Sequence, residues 1–325
     1  MRTIIGAAVL LAACAASLCA QAQDAFPNKP IRVVIPFAAG GSTDFVLRVI
    51  SDKFQQITGQ GWVAENRGGA SGIIAAEFVA RSAPDGYTLM AASVGQMSLN
   101  PHSFTNLPYD PQSTFAPVTG LVATNYFWAV HPDVPANTVR EYIDWAKANP
   151  ERANFGSTGI GTPSHLAGVM LAQASGAPLV NVPYKGVGPA ITDLLGGRIS
   201  AAFVTLVLVK DAVRGGKLKL LAAATEKRVA TLPEMPTFGE LGYADVVAPL
   251  WTGLLAPGGT PPAVIERLNR ATVQAPASPE VREKLLASDQ EPTGGTPAQL
   301  AEFMRIDRER WGRAFRASGF KPTAR

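Results

Sequence analysis

A chain of 325 residues, 47% hydrophobic and only 17% charged, is long enough to bury two cores of ordinary domain size. Its 29 basic and 25 acidic side chains leave a formal net charge of +4 with no basic run, which excludes a nucleic-acid binder built on a cationic stripe. Cys14 and Cys19 are the only cysteines and both sit at the N-terminus, so neither thiol catalysis, a cysteine-ligated metal nor a disulfide scaffold organises the remainder.

Residues 1–22 read as a signal peptide. Arg2 supplies the charged start, 4–16 form an apolar stretch too short to span a membrane comfortably, and Ala20-Gln21-Ala22 is a small-residue cleavage site, which places the protein in the periplasm. Leu11-Ala12-Ala13-Cys14 also resembles a lipobox, with lipid anchoring at Cys14 as the alternative.

The next stretch, IRVVIPFAAGGSTDF, sets the theme. Residues 31–35 are apolar and β-branched, as a strand buried on both faces requires, and Pro36 ends it. Gly40 and Gly41 permit a sharp turn. Ser42 can cap a helix whose apolar face carries Val46, Val49, Ile50, Phe54 and Ile57. At the carboxyl end of a strand in an open α/β sheet, such a loop presents free N–H groups and a helix dipole to an anion, here read as a carboxylate. There is no GxxxxGK[ST] and no GxGxxG, and an ordinary capped βα turn is the bland alternative.

A strand at 62–65, a glycine-rich connection at 66–72, a helix from 73 to 81 and a strand at 87–92 then complete one α/β lobe. Ser93 falls at the end of that last strand, where ligands approach. An apolar run at 122–130 predicts a strand, and a helix follows from Thr138 to Asn149. The opening logic then repeats in Asn154-Phe155-Gly156-Ser157-Thr158-Gly159-Ile160-Gly161-Thr162-Pro163-Ser164-His165-Leu166, with Thr162 as N-cap and Pro163 at the first helical position. Gly-Thr-Pro recurs at 259–261 and 295–297 before other helices, so only the run of glycines and hydroxyls marks the first copy as a ligand loop.

Strands at 180–182, 199–206 and 218–224 follow, with Tyr184, Lys185 and Gly186 in a loop after the first. Lys185 could neutralise a further anionic group, or simply be solvated. A final strand at 251–256 precedes helices that start after Pro261, Pro279 and Pro297 and are expected to pack on the first lobe. The expected fold is thus α/β and two-lobed: two doubly wound sheets joined by a two-strand hinge near Ala123 and Thr225. Residues 23–122 and 230–325 form one lobe and 123–229 the other. No metal or cofactor motif is present, and the hydrolase reading is weak, because Ser164 and His165 are adjacent in a helix and diverge and no GxSxG elbow occurs.

Taken together, Pro36 to Asp44 with Arg48, Asn66-Arg67-Gly68-Gly69-Ala70, Pro84-Asp85-Gly86-Tyr87-Thr88, the loop from Gly156 to Leu166, and Val182-Pro183-Tyr184-Lys185-Gly186 resemble the Bug (TctC-type) receptors of tripartite tricarboxylate transporters. The likeness extends from Phe26 to the C-terminus. It implies a periplasmic-binding-protein fold of type II-like form that closes, as a monomer, on a small organic acid and docks on a two-component membrane permease. A sensor role in two-component signalling is the alternative.

By that resemblance Phe37, Ala39, Gly40, Gly41, Ser42, Thr43 and Asp44 grip one carboxylate from the first lobe. Ser157, Gly159, Gly161, Thr162, Pro163, Ser164 and His165 grip it from the second. Ser93, Tyr184, Lys185, Gly186 and Thr205 complete the set. Many members carry an acid where Val204 stands, which turns the expectation from amino acids toward plain or aromatic carboxylates.

Overall fold

In the computed structural model, strand β1 (Ile31–Ile35) is second from one edge of the first lobe's sheet, and its side chains supply two cores at once. Val34 points into one hydrophobic cluster, and Ile31, Val33 and Ile35 into another on the opposite face. The structure describes residues 26–324, apart from Ala38, Gly40, Gly41, Lys185 and Gly186. The signal-peptide and lipid-anchor readings, and the positions Gly40, Gly41, Lys185 and Gly186, therefore lie outside the described residues.

From β1 the chain runs through α1 (Ser42–Thr58), β2 (Trp62–Asn66), α2 (Ile73–Ala80) and β3 (Thr88–Ser93), and β1 pairs in parallel with both neighbours. A π-helical turn at Gly95–Leu99 leads into the short α3 (Asn100–Ser103), then β4 (Phe115–Thr124). The second lobe holds β5 (Tyr126–Val130), α4 (Val139–Ala148), β6 (Asn154–Ser157), α5 (Pro163–Ser175), β7 (Val180–Pro183), α6 (Val187–Leu195), β8 (Ala201–Thr205), α7 (Leu206–Arg214) and β9 (Lys219–Ala223). The chain then returns through β10 (Leu250–Pro257), α8 (Pro262–Ala277), α9 (Pro279–Ala287), β11 (Glu291–Gly294) and α10 (Pro297–Ser318).

The strand orders are β11-β4-β10-β3-β1-β2 and β7-β6-β8-β5-β9. Both sheets are mixed. β10 runs antiparallel between β3 and β4, and β5 antiparallel between β8 and β9. These are the strands by which the chain enters or re-enters a lobe from the other, so they arrive against the direction of the βαβ units.

Three readings of the sequence change. The single strand expected at 122–130 is two strands in different sheets, separated by the buried Asn125. Continuous apolarity cannot reveal a change of sheet, because both pieces are buried. The strand expected at 199–206 ends at Thr205, and Leu206 opens the amphipathic α7. Finally, α8 packs against α1 on the first lobe as expected, but α10 packs on both lobes. Its Trp311, Ala314 and Phe315 belong to one cluster with Val34 and Met90 of the first lobe and Trp128, Phe155 and Leu166 of the second. The lobes thus share a core along one side.

A second tie between the lobes is polar. Asp289, between α9 and β11, meets the backbone N–H groups of Leu206 and Val207 at the start of α7. Burial nevertheless pushes its pKa up to about 6, and its Oδ2 is buried with no hydrogen-bond partner.

Two outcomes follow. A methyl on Gly168 of α5 would lie 2.0 Å from Cε2 of Phe155, so Gly168→Ala is expected to cost about 1–3 kcal/mol in urea unfolding through overpacking. Asp289 holds its proton more tightly in the folded chain than an unfolded aspartate does. Its ionisation therefore costs stability above about pH 6, and that cost fades as pH falls toward the ordinary aspartate range. Asp289→Asn is expected to stabilise the protein at pH 8 by roughly 1–3 kcal/mol, with the gain shrinking toward pH 4 in the same unfolding measurement.

Candidate functional site

The loop after β1 is pinned from β2. Asn66 donates through Nδ2 to the Phe37 carbonyl at 3.1 Å and to Asp44 Oδ1 at 3.2 Å, so one amide holds the beginning of the loop against the first turn of α1. This leaves the Phe37 ring 41% exposed, and Phe37, Ser42 and Thr43 face a cleft between the lobes. The first-turn N–H groups of an α-helix such as α1 have no acceptor within the helix. Asp44 is buried and turned to Asn66, and neither it nor Ala39 lines the cleft.

Ser93, at the end of β3, is also on the cleft wall, and Gln96 fixes it. Gln96 Oε1 accepts from both the amide and the hydroxyl of Ser93, at 3.0 and 2.8 Å, and its Nε2 donates to the Ser71 carbonyl at 3.1 Å. Asn100 Nδ2 donates to the same carbonyl and to the Tyr109 hydroxyl, which in turn donates to the Gln96 carbonyl. The closed ring of bonds allows the tight, left-handed passage through Ser71 (φ 55°) and Gly72 (φ 80°), where a Cβ on the glycine would strike Gln96 Nε2 at 2.2 Å. The π-helical turn beyond it sets Gly95 and Leu99 on the cleft.

The second loop is built differently from expectation. Most of its amides are used internally: Thr158 N–H donates to Ser164 Oγ at 3.0 Å, Gly159 N–H to Ser157 Oγ at 3.4 Å, and Gly161 N–H to His165 Nδ1 at 3.2 Å. Burial lowers the His165 pKa, which favours the neutral ring that an accepting Nδ1 requires. Thr162 donates through its hydroxyl to the Gly159 carbonyl at 2.6 Å. Ser157, Gly159, Gly161, Thr162, Ser164 and His165 thus shape the loop from within, and Pro163 alone of the set lines the cleft. Proline has no N–H, so the amides of Ser164 and His165 are the open donors of the first turn of α5.

Thr205 closes β8 on the cleft, joined by Val207 and Leu208 of α7. Tyr184 is turned away, its hydroxyl donating to Asp193 at 2.8 Å. Val204 packs with Ala129, Leu194 and Ile199 and does not line the cleft.

The cleft has a volume of about 470 Å³. Its floor, which sequence reasoning missed, is made by Thr124 and Tyr126 on either side of the inter-lobe crossing, by Leu250, Trp251 and Thr252 of β10, and by Gln290. Burial pushes the Tyr126 hydroxyl up to about 12, while its hydrogen bond with Ser164 acts the other way, so it stays protonated and ties the floor to α5. The Trp251 indole N–H donates to Asp307 of α10 at 2.8 Å, which leaves only its ring for the cleft. A cue existed in the strand at 251–256, whose start is apolar and aromatic yet carries Thr252. Ser164 and His165 do not bond one another, and each is occupied as described. Among the described residues no three His, Cys, Asp or Glu side chains converge as a metal site, and no helix is long and apolar enough to cross a membrane.

A family model described as "Tripartite tricarboxylate transporter family receptor" (TctC) matches residues 46–320. The chain is 34% identical over 319 residues to Protein BugT of Bordetella pertussis, covering 98% of this chain and 97% of that one. Among solved structures it is similar to the periplasmic binding protein BugD, with a TM-score of 0.72 and 33% identity over 92% of this chain and 100% of that chain. It is also similar to MatC from Rhodopseudomonas palustris with bound malate, with a TM-score of 0.71 and 30% identity over 89% and 100% of the two chains. The chain belongs to the TctC family, whose members are periplasmic solute receptors and not enzymes.

Proposed function

We propose that this receptor binds a small organic acid between its lobes, closes on it as a monomer, and delivers it to a two-component membrane permease after export by the signal peptide at 1–22. The observation that carries the reading is the meeting of two helix starts on one cleft. Ser42 and Thr43 of α1 come from one lobe and Pro163 of α5 from the other. Each helix offers uncommitted N–H groups and the positive end of its dipole, an arrangement that suits a carboxylate shared between lobes. The malate bound by MatC is a carboxylate of the same kind.

A carboxylate held by one lobe alone has half its oxygens' capacity satisfied. Closure adds charge-assisted bonds from the other lobe, each worth about 1.5–3 kcal/mol, so the ligand binds the closed form more tightly and shifts the population toward it. Two or three such bonds, less the cost of immobilisation, support roughly micromolar affinity.

The test is calorimetry with organic acids beside their neutral amides, together with small-angle scattering for closure. Acids are expected to bind and amides not to, with a smaller radius of gyration on saturation. Thr43→Val and Thr205→Val, which delete cleft hydroxyls at constant shape, are each expected to weaken binding by about 1 kcal/mol with unchanged thermal unfolding. Equal binding of acid and amide, or no effect of either variant, overturns the assignment of the carboxylate to these helix starts.

A further inference from the structure

We propose that the ligand carries a single carboxylate on an uncharged, apolar body, aliphatic or aromatic; this substrate class rests on the carboxylate reading above and narrows it. None of the described residues that line the cleft is charged. The α7 wall presents Val207 and Leu208, which are 51% and 48% exposed on the first turn of their helix. Opposite them stand Leu99, Leu250 and the face of Trp251. Side chains of this size, left open to water inside a cleft, are covered only by lobe closure or by an apolar guest.

Three of the polar groups that line the cleft are already committed. The Thr124 hydroxyl donates to Gln290 Oε1 at 3.0 Å, Gln290 Nε2 turns to the Ser288 carbonyl at 3.4 Å, and the Ser93 hydroxyl donates to Gln96. One carboxylate is served by the two helix starts, whereas a second, on the far end of the ligand, would lose its water with no cation among the described lining residues to replace it. Each methylene set against Val207, Leu208 or Trp251 is instead worth about fourfold in affinity.

Matched pairs separate the two cases, because hexanoate and adipate differ only in a terminal methyl against a carboxylate, as do 4-methylbenzoate and terephthalate. Calorimetry is expected to give the monoacid at least tenfold tighter binding in both pairs, and Leu208→Lys, on an exposed helix position, is expected to narrow or reverse the ratio by a similar factor. A diacid that binds as tightly as its monoacid, or more tightly, overturns this inference and leaves the carboxylate receptor standing. That holds also where Lys185→Ala abolishes the diacid's advantage, since a cation would then complete the site. Silence with every acid overturns the carboxylate reading and this inference together.

Discussion

The two sheets face one cleft because the backbone changes sheet at a single buried residue, Asn125. Thr124 ends β4 on one side of it and Tyr126 begins β5 on the other, and both belong to the cleft floor. The returning segment is bonded to the same place: Ala224 N–H donates to the Tyr126 carbonyl at 2.8 Å, and Ala248 N–H to the Ala224 carbonyl at 2.9 Å. Floor and hinge are therefore the same few residues. The shared core along α10 ties the two lobes together on one side.

The described residues that line the cleft include no charged side chain. On the proposed reading the cleft's anion-binding capacity is backbone, at helices that begin with Ser42 in one lobe and with Thr162 and Pro163 in the other. Backbone donors are rigid and need no entropy to order, so such a site is organised before the ligand arrives. Side-chain work is spent instead on holding the loops: Asn66 for the first, Ser164 and His165 for the second, Gln96 for the third.

Much of this was legible. The strand-loop-helix units at 31–58 and 154–175 announce themselves by β-branched runs, glycine, a hydroxyl cap and 3.6-residue periodicity, all local signals. What local pattern cannot show is which polar group a loop residue will choose. Asp44 and Tyr184 have ligand-binding chemistry but are taken by Asn66 and Asp193, partners distant or unremarkable in sequence. Val204 stands beside Thr205, yet the two face opposite sides of β8, a parity settled only by the register with β5. The floor escaped for the same reason, since Tyr126, Trp251 and Gln290 meet there through sheet pairing and through the return of the chain to its first lobe.

Trp251 gives the cleft one property more. Its ring forms part of the floor while its indole nitrogen is held by Asp307, a fully buried acid on the helix that both lobes lean against. Burial raises the pKa of that acid, and Arg310, one turn further along, lies 3.9 Å from its other oxygen and pairs outward with Glu226 at the surface. Four side chains, Trp251, Asp307, Arg310 and Glu226, thus run in contact from the cleft wall to the surface of the protein.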